Sequence, residues 1–536
     1  MNTHDTVDAA EVGGALPRNE KIGNNVTAEM AQAGTQIEHD TSILQTLRLY
    51  WKGAFWSVFV SLSVVMRGYD TAIIGQFFAL PAFQAKFGEP LPGHGNQVTT
   101  KWQIALSLGA PIGQIVGSSI VSFPLERFGR RKTFAAALTI TAILNFMQFF
   151  ATSIQVLTGA EFLCGIGWGF YVVISTTYAS EILPTNARGF LTGYINLCYV
   201  IGQFISSGVS KGFDMSTTQW GYRIPFAIQW VWPVILLAGL PFAPESPWWL
   251  IRQHRMADAE RSLRRIVNSK KVDIEKTVAL MVQTDALEED EEIGTTFKDC
   301  FKGSNRRRTE ICVLIFLIQN FSGNPQGYAT YFFEQVGLTT SQSFDMGLGL
   351  TAIGFVGTFM AFVPVIYMGR RRTYLMGLTY TVVTSWIIGL LSFAPNYNKR
   401  IAIAWAQATL LTLLEFFWQL TLGAFTYVIA CEVSSTKLRS KTLALAVVID
   451  AIGGIIIKVL TLYLLNPGAA NARSQTEFFF GGVSIFSLIW CYFRLVETKG
   501  RTYGELDLMF ERRVRTKDFA KYKFEADILH STNQKY

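Results

Sequence analysis

Amide side chains are concentrated in one apolar stretch of the chain, roughly residues 310–333. Four amides fall within eight residues and two tyrosines follow them: Gln319, Asn320, Asn324, Gln326, Tyr328 and Tyr331. Polar groups inside an apolar helix are costly unless they face water, a ligand or another polar group. Amides form hydrogen bonds without carrying charge, and aromatic rings offer apolar planes, so this pattern suits a neutral ligand rich in hydroxyl groups. Hydrogen bonds between neighbouring helices are the alternative explanation.

Ionisable side chains also interrupt apolar stretches. The acids are Asp70, Glu161 and Asp450, and Arg67 precedes Asp70 by three residues. If this segment is helical, Arg67 and Asp70 share a face. Charge is expensive in an apolar bundle, so an ionisable residue there is a candidate for ion binding or proton relay.

The composition places these residues in a membrane protein. Of 536 residues, 50% are hydrophobic and only 16% are charged, whereas soluble domains carry about 25% charged residues. No nucleophile–base motif, metal-ligand spacing or phosphate-binding glycine loop stands out, so we expect no enzyme activity, metal or cofactor. The net charge of +8 requires no nucleic acid, because basic residues cluster in short loops next to apolar stretches.

Twelve apolar stretches are arranged as six, a gap and six. About twenty apolar residues cross a bilayer as a helix. The stretches lie near 54–80, 103–123, 133–153, 156–178, 190–210, 224–243, 310–333, 347–368, 373–394, 401–428, 442–465 and 477–495. We therefore predict an all-α integral membrane protein with twelve transmembrane helices in two pseudo-symmetric six-helix bundles.

Five domains follow from this arrangement. They are a tail at 1–50, a first bundle at 51–243, a linker at 244–309, a second bundle at 310–497 and a tail at 498–536. The first tail is polar and is predicted to be disordered and cytosolic rather than a signal peptide. The linker is highly charged with helical periodicity, which predicts short amphipathic helices on the cytoplasmic membrane surface.

Lysine and arginine residues indicate the orientation of the helices. They cluster between the second and third stretches, between the eighth and ninth, and between the tenth and eleventh. Because basic loops stay on the cytoplasmic side, both termini are predicted to be cytoplasmic. These loops are also expected to meet anionic membrane lipid.

The two halves repeat each other's motifs at equivalent positions. Gly129-Arg130-Arg131-Lys132 in the first half corresponds to Gly369-Arg370-Arg371-Arg372 in the second. A Glu-x6-Arg pattern follows the fourth stretch and again the tenth. Paired repeats with sites at their interface are one known transporter architecture.

Over roughly residues 45–512 the chain resembles sugar porters of the major facilitator superfamily, and most of all fungal α-glucoside (maltose) permeases. The motifs that carry this resemblance are Gly68-Tyr-Asp-Thr-Ala, Arg127-x-Gly-Arg-Arg, Ala243-Pro-Glu-Ser-Pro-Trp-Trp-Leu, Gln319-Asn-x-Ser-Gly, Gly327-Tyr-Ala-Thr-Tyr-Phe-Phe-Glu, Gly369-Arg-Arg-Arg and Glu497-Thr-Lys-Gly-Arg. The last motif normally opens with Pro, and this chain has Val496 there.

The resemblance implies a sugar site between the bundles. It implies that Gln319 hydrogen-bonds the sugar; its neighbour Asn320 replaces the usual Gln, and Asn196 in the fifth span replaces a sugar-binding Gln. In the tenth span Tyr427 replaces a Trp that covers the sugar in many members. The predicted substrate-binding set is Gln319, Asn320, Asn324, Tyr328, Asn196, Gln419, Tyr427 and Asp450.

The resemblance also implies proton coupling. Asp70 matches the family's coupling carboxylate, whose usual fourth-span Arg partner is replaced here by Glu161. Arg67 supplies a positive charge on the first span instead, where α-glucoside symporters usually have Glu, and Gln114 replaces another Glu. Two carboxyl groups that share one cation cannot both ionise comfortably, so one is expected to keep a proton. Facilitated diffusion and a structural Arg67–Glu161 pair remain alternatives.

A cytoplasmic gate is the third implication of the resemblance. Ion pairs at the cytoplasmic helix ends would tie the bundles together while the cavity faces outward, and would break when it opens inward. The predicted gate residues are Arg127, Arg130, Glu181, Arg188, Arg370, Glu432 and Arg439. Membrane anchoring and topology are the simpler explanation for any one of them.

We therefore expect a multi-pass plasma-membrane transporter that works by alternating access and imports a sugar, such as an α-glucoside, maltose or a hexose, with a proton. The expected partners are that small molecule, the proton and membrane lipid, without nucleic acid, and the expected state is a monomer. A transporter of a non-sugar metabolite and a sugar uniporter are the alternatives. A non-transporting nutrient receptor has less support.

Overall fold

The structure is a computed structural model of the chain. It describes residues 46, 48–91, 95–182, 185–268, 274–275, 277–279, 281–282, 296–322, 326–395, 400–435, 438–501 and 503–522. Most of the predicted N-terminal tail therefore lies outside the described residues.

The first half of the fold contains six helical spans and a small hairpin. Its elements are α1 (Trp51–Phe77), α2 (Pro81–Phe87), the antiparallel strands β1 (Glu89–Leu91) and β2 (Gly95–Gln97), α3 (Thr100–Ile120), α4 (Ser122–Phe128), α5 (Arg130–Phe149), α6 (Ile154–Ile182), α7 (Thr185–Gly212), α8 (Trp220–Ile228) and α9 (Val231–Gly239). The second span consists of α3 and α4, and the sixth consists of α8 and α9. The hairpin and α2 were not predicted from the sequence.

The described part of the linker includes the helices α10 (Pro247–Arg252) and α11 (Met256–Ile266), further helical residues at 274–275, 277–279 and 281–282, and a 3-10 turn at Phe297–Phe301. The two helices and the first residues of α1 belong to one compact unit. Ser246 caps α10 by accepting a hydrogen bond from the Trp249 backbone, and the apolar face of α11 buries Leu263. Short amphipathic helices are thus present where they were predicted.

The second half repeats the six-span pattern. Its elements are α12 (Asn305–Phe321), α13 (Ala329–Gln335), α14 (Thr340–Met360), α15 (Phe362–Tyr367), α16 (Arg370–Leu391), α17 (Ile401–Trp418), α18 (Ala424–Val433), α19 (Arg439–Leu465), α20 (Thr476–Arg494) and the peripheral α21 (Tyr503–Glu511). The fold is therefore all-α with twelve spans, as the sequence predicted.

Most spans have the length and hydropathy of membrane helices. Among the described residues eight helices meet this requirement alone, and α3 with α4, bent by 42°, make a ninth. The other three spans are α5, α7 and α12. These three do not meet the requirement alone. Helix α5 begins with the basic residues Arg130, Arg131 and Lys132, α7 carries many polar residues, and α12 is short, with 17 residues.

The seventh span is broken rather than continuous. Helix α12 ends at Phe321, a 3-10 turn follows at Gln326–Tyr328, and α13 begins at Ala329. The sequence between them, Ser-Gly-Asn-Pro-Gln-Gly, contains a proline and two glycines, which end helices. The prediction of one helix over 310–333 was therefore wrong in its middle.

Glycines bring the spans of the first half into close contact. A β-carbon at Gly68 in α1 would lie 2.1 Å from the Tyr199 carbonyl oxygen in α7, and one at Gly113 in α3 would lie 2.0 Å from the Phe162 carbonyl oxygen in α6. Only small residues permit such approach between helix backbones. These contacts set the spacing of α1, which carries Asp70, from α7, and of α6, which carries Glu161, from α3.

Candidate functional site

Asp70 and Glu161 form a buried acid pair in the first half. Both residues are fully buried and their carboxyl groups interact directly. The Gln148 amide nitrogen of α5 donates to Glu161 Oε1 at 2.7 Å and lies 3.5 Å from Asp70 Oδ1. Two carboxyl groups at such close quarters repel each other when both are ionised.

Two further donors fix the Asp70 carboxyl group. Gln229 Nε2 donates to Oδ1 at 2.9 Å and Trp168 Nε1 donates to Oδ2 at 2.9 Å. Glu161 differs, because its Oε2 is buried without a hydrogen-bond partner among the described residues. Donors stabilise the ionised form of a carboxyl group. Asp70 is therefore the better hydrogen-bonded acid of the two.

A small cavity beside the acid pair joins the two halves of the fold. It has a volume of about 20 Å³, and it is lined by Asp70, Glu161, Tyr328 and Lys458, among others. This is room for one water molecule. Lys458 belongs to α19, so the second half brings a cation to the acids of the first.

Arg67 does not complete the acid pair as predicted. Its Nε donates to Gln114 Oε1 at 3.1 Å, and its guanidinium carbon lies 5.0 Å from the centre of the Tyr199 ring. Among the residues that the structure describes, it makes no ion pair with Asp70 or Glu161. Residues three apart on a helix differ by about 60° in direction, and here that difference turns Arg67 toward α3 and α7.

Asn320 and Asp450 form a second polar cluster, in the second half. Asn320 Nδ2 donates to Asp450 Oδ1 at 2.6 Å and to the Asp450 backbone oxygen at 3.1 Å. Arg67 and Tyr427 are within electrostatic range of this carboxyl group. About half of the Tyr427 surface is accessible, which leaves the ring free to pack on a ligand.

Gln319 carries the clearest vacant hydrogen-bonding capacity among the predicted ligand residues. Its Oε1 is buried and has no hydrogen-bond partner within the described part of the chain. A buried polar atom normally has a partner. A bound ligand or water would supply it.

The remaining predicted substrate residues are distributed differently. Gln419 forms hydrogen bonds within the second half: its amide nitrogen donates to Glu415 at 2.8 Å, and its amide oxygen accepts from Thr358 at 3.2 Å. Asn196 is an exposed residue of α7, and Asn324 lies outside the described residues. Tyr328 is buried, and its ring stacks on Phe78. The structure thus brings Asn320 and Asp450 into contact, with Tyr427 within electrostatic range of Asp450.

The basic loops of the two halves lie at one end of the spans, here called the basic end. This end comprises the α4–α5 turn at Gly129 and the α15–α16 turn at Gly369. Gly129 has φ of +86°, a conformation that side chains disfavour.

The predicted gate residues make ion pairs at the basic end within one half of the fold. Arg370 donates to both oxygens of Glu432 at 2.9–3.2 Å, and Thr498 also donates to Glu432. In the first half Arg130 pairs with Glu126 at 3.0 Å, and Arg127 lies over the rings of two phenylalanines.

The other predicted gate residues are placed as follows. Glu181 pairs with Arg252 of α10 at 2.6 Å. Arg439 is the first residue of α19, and the side chain of Arg188 lies outside the described residues. A gate formed by ion pairs between the halves stays a prediction.

The two halves contact each other at the end opposite the basic loops. Lys211 Nζ of α7 donates to Ser341 Oγ at 2.7 Å and pairs with Asp345 of α14 at 2.8 Å. Asn466 Nδ2 donates to the Val98 carbonyl oxygen at 3.3 Å. Polar contacts thus join the first and second halves at this end.

Aromatic and glycine contacts reinforce this closure. Phe78 stacks on Tyr328, with ring centroids 6.3 Å apart, and meets Tyr331 edge-on. Gly75 of α1 approaches the Gly327 backbone so closely that a β-carbon there would lie 1.6 Å from the Gly327 oxygen. The end opposite the basic loops is therefore closed in this state.

Comparison with known proteins identifies the family. Residues 56–510 match the family model described as "Sugar (and other) transporter". The general alpha-glucoside permease of Saccharomyces cerevisiae is 35% identical over 525 residues, covering 96% of this chain and 84% of the permease. A maltose permease of the same yeast is 33% identical over 526 residues, covering 96% of this chain and 85% of that permease. The chain belongs to the sugar transporter family.

Solved structures of bacterial sugar transporters share the transporter's fold. A partially occluded inward-open structure of the xylose transporter XylE from E. coli has a TM-score of 0.64 and 19% identity, covering 83% of this chain and 98% of XylE. A structure of XylE described as a proton:xylose symporter has a TM-score of 0.64 and 20% identity, covering 85% and 98%. The relatives are permeases, so the chain is a transporter rather than an enzyme.

Sequence reasoning missed four residues of the transporter's acid pocket, namely Gln148, Gln229, Trp168 and Lys458. Each is a polar or amphipathic residue inside an apolar span, and Lys458 is the only basic residue between positions 442 and 465. The rule that singled out Asp70 applies equally to a lysine in an apolar helix. Lys458 could therefore have been found, although its proximity to Asp70 and Glu161 could not.

The glycine contact gives a prediction about the closed end. We expect Gly75→Ala to open the transporter at that end, because its β-carbon would collide with the Gly327 oxygen. A shift of about 1.4 kcal/mol changes the ratio of the two states tenfold. The measurement is the rate at which an impermeant thiol reagent, added at that end, labels Thr71→Cys in the pocket of a cysteine-free background.

Gly159→Ala is the matched control, since a β-carbon there meets no atom within 4 Å. Equal labelling rates in the Gly75 and Gly159 variants, at equal amounts of folded protein, would show that this contact does not determine closure.

Proposed function

We propose that this transporter is a plasma-membrane symporter that imports an α-glucoside such as maltose together with a proton. It works by alternating access as a monomer, with both termini in the cytoplasm. The yeast relatives, named as alpha-glucoside and maltose permeases, support the substrate class. The description of XylE as a proton:xylose symporter is in keeping with a proton as the coupling ion.

The observation that carries the proposal is the acid pair with its cation from the other half. Asp70 and Glu161 line this cavity from the first half, and Lys458 faces it from the second. Movement of one half against the other changes the distance between these charges. Coulomb energies at close range are several kcal/mol in a medium of intermediate dielectric. Protonation and the conformation of the transporter are thereby linked.

The polar cluster of α12 and α19 is the proposed substrate site. Gln319 offers a vacant amide oxygen, Asn320 and Asp450 offer an amide and a carboxylate, and Tyr427 offers an exposed ring. A sugar has hydroxyl groups for the first three and an apolar ring face for the fourth. These residues thus present the complementary groups.

The described state fits an inward-facing transporter. The basic end is cytoplasmic by the distribution of lysine and arginine, and the opposite end is closed by contacts between the halves. The ion pair of Arg370 with Glu432 lies within one half and does not cross the pathway. Opening to the outside requires the contacts of Lys211 and Phe78 to break.

Uptake of labelled maltose, other α-glucosides, glucose and a panel of non-sugar metabolites into transporter-null yeast tests the proposal. We expect accumulation of an α-glucoside above its external concentration, and loss of that accumulation when a proton uncoupler is added. Uptake that only equilibrates the sugar and ignores the uncoupler would identify a uniporter. Accumulation of a non-sugar alone would reject the substrate class.

A prediction concerns the vacant amide of the substrate site. We expect Gln319→Ala to raise the KM for the transported sugar about two- to tenfold, because a hydrogen bond to a neutral group contributes about 0.5–1.5 kcal/mol. Initial uptake rates over a range of sugar concentrations measure the effect. Gln155→Ala, at an exposed position in α6, is the matched control and should leave KM unchanged. An unaltered KM in both variants would exclude Gln319 from the site.

A further inference from the structure

An apolar groove lies on the first half of the fold, away from the path between the halves. It has a volume of about 470 Å³, which is within the range of sites for small organic ligands. Helices α5 and α6 form its walls, and the end of α4 completes it. The residues that define it are Phe128, Lys132, Ala136, Ile140, Leu163 and Ile166.

The second half shows that this groove is not required by the fold. Ile140 lies eleven residues after Gly129, and Tyr380 lies eleven residues after Gly369. Ile166 lies fifteen residues before Glu181, as Phe417 does before Glu432. Tyr380 and Phe417 pack against each other with ring centroids 4.2 Å apart. An aromatic pair therefore occupies the equivalent place in the second half, where the first half has two isoleucines and a groove.

Positive charge surrounds the mouth of the groove at the basic end. Lys132 lines it and is exposed, and it makes no ion pair with any residue in the described ranges. The guanidinium carbon of Arg127 lies 5.6 Å from the centre of the Phe128 ring, which forms part of the wall. The nearby acid, Glu126, is already paired with Arg130. The mouth is thus complementary to an anion.

The groove has the length of one membrane leaflet. Lys132 and Leu144 both line it, and twelve residues of helix extend about 18 Å at 1.5 Å per residue. Half of a hydrocarbon core of about 30 Å is about 15 Å. A cation at the mouth and an apolar channel of this length match a lipid headgroup and its chain.

We propose that the groove is a specific binding site for one anionic phospholipid. Its phosphate pairs with Lys132 at the mouth, and one acyl chain lies between α5 and α6. Apolar side chains gain no hydrophobic energy by exchanging one lipid chain for another, so selectivity comes from the headgroup charge and from contact with the groove walls. The site is independent of the transported substrate.

Native mass spectrometry of the purified full-length transporter, titrated with phosphatidylserine or with phosphatidylcholine, tests this proposal. We expect one phosphatidylserine to bind more tightly than any phosphatidylcholine. Lys132→Gln should weaken that binding about fivefold, as expected for one cation at a membrane surface. The matched control is Arg372→Gln, because Arg372 is the exposed cation at the equivalent position of the second half.

Ile140→Tyr fills the groove in the way that Tyr380 fills its counterpart, and should abolish the tight phosphatidylserine site while leaving weak binding elsewhere. Ala136→Leu, at an exposed wall position, gives a second occluding variant if the first does not fold. Equal losses in the Lys132 and Arg372 variants would mean general surface attraction and would overturn the proposal. Unchanged binding in the occluded variants, or equal binding of both lipids, would overturn it as well. None of these outcomes depends on sugar transport.

Discussion

Replacing Asp70 with Asn is expected to abolish accumulation of substrate against its gradient while leaving exchange of substrate down its gradient intact. Asn can neither release nor take up a proton, unlike the carboxyl group of Asp70. With one carboxyl group left, Glu161 no longer has an acidic neighbour, and the link between protonation and conformation is lost. A tenfold ratio of internal to external substrate corresponds to about 1.4 kcal/mol. In the variant we expect this accumulation ratio to fall to one.

The geometry around Asp70 also predicts a cost in stability. Both oxygens accept hydrogen bonds from nitrogen donors, Gln229 on one side and Trp168 on the other. The amide nitrogen of Asn would face one of these donors, so one hydrogen bond is lost. A buried donor left without a partner costs about 1–3 kcal/mol. The amount of folded protein must therefore be measured with transport.

Reconstituted vesicles separate the two effects. Sugar-driven proton uptake, uphill accumulation and equilibrium exchange are measured at equal amounts of protein for wild type, Asp70→Asn and the control Glu89→Gln. Glu89 is an exposed acid in β1, so its variant should behave as wild type. Proton uptake that persists in Asp70→Asn would assign coupling to other groups. A wild-type protein that moves sugar without protons would reject symport.

The fold was largely predictable because its main determinant is hydropathy. Each of the twelve apolar stretches corresponds to a span, with boundaries a few residues apart, since lipid demands a helix wherever about twenty apolar residues occur. The break in the seventh span was harder to predict. Its polar residues signalled a site, and the proline and glycines that interrupt the helix were not given weight.

The residue types of the site could be predicted from the sequence, whereas the partners with which these residues form contacts could not. Asp70, Glu161, Asp450 and Arg67 stood out because charge is rare in apolar spans. Their partners depend on the direction of each side chain from its helix, which spacing along one helix does not determine. Arg67 was assigned to the acids of its own half, whereas the structure places it against Gln114 and Tyr199.

The partners in the ion pairs at the basic end were unpredictable for the same physical reason. The repeated Glu-x6-Arg pattern predicted that these residues lie at helix ends. It did not reveal that Glu432 accepts from Arg370, or that Glu181 accepts from Arg252 of the linker. Long, flexible side chains choose among several neighbours within reach, and three-dimensional packing decides which one they meet.

The cation that faces the acid pair belongs to the second half, and its removal should have the second large effect. We expect Lys458→Gln to slow uptake strongly and to move the pH dependence of uptake to higher pH. A nearby positive charge favours the ionised form of a carboxyl group. Without Lys458 the pair releases its proton only at higher pH, so the transporter stays protonated at cytoplasmic pH. Removing one member of a buried charge cluster costs about 3–5 kcal/mol unless a proton is taken up instead.

Lys458→Arg is the matched control, because it keeps the charge and should keep the wild-type pH profile more closely than Lys458→Gln does. Arg67→Gln is a second comparison, since Arg67 carries a charge in the same region but lies against Gln114 rather than in the acid cavity. Uptake measured from pH 5 to 8, with proton release in single-turnover vesicle experiments, gives the result. If Lys458 is the counter-charge, its Gln variant should shift the profile and the Arg67 variant should shift it less. A larger shift of the pH profile for Arg67→Gln than for Lys458→Gln would instead identify Arg67 as the counter-charge, as the sequence predicts.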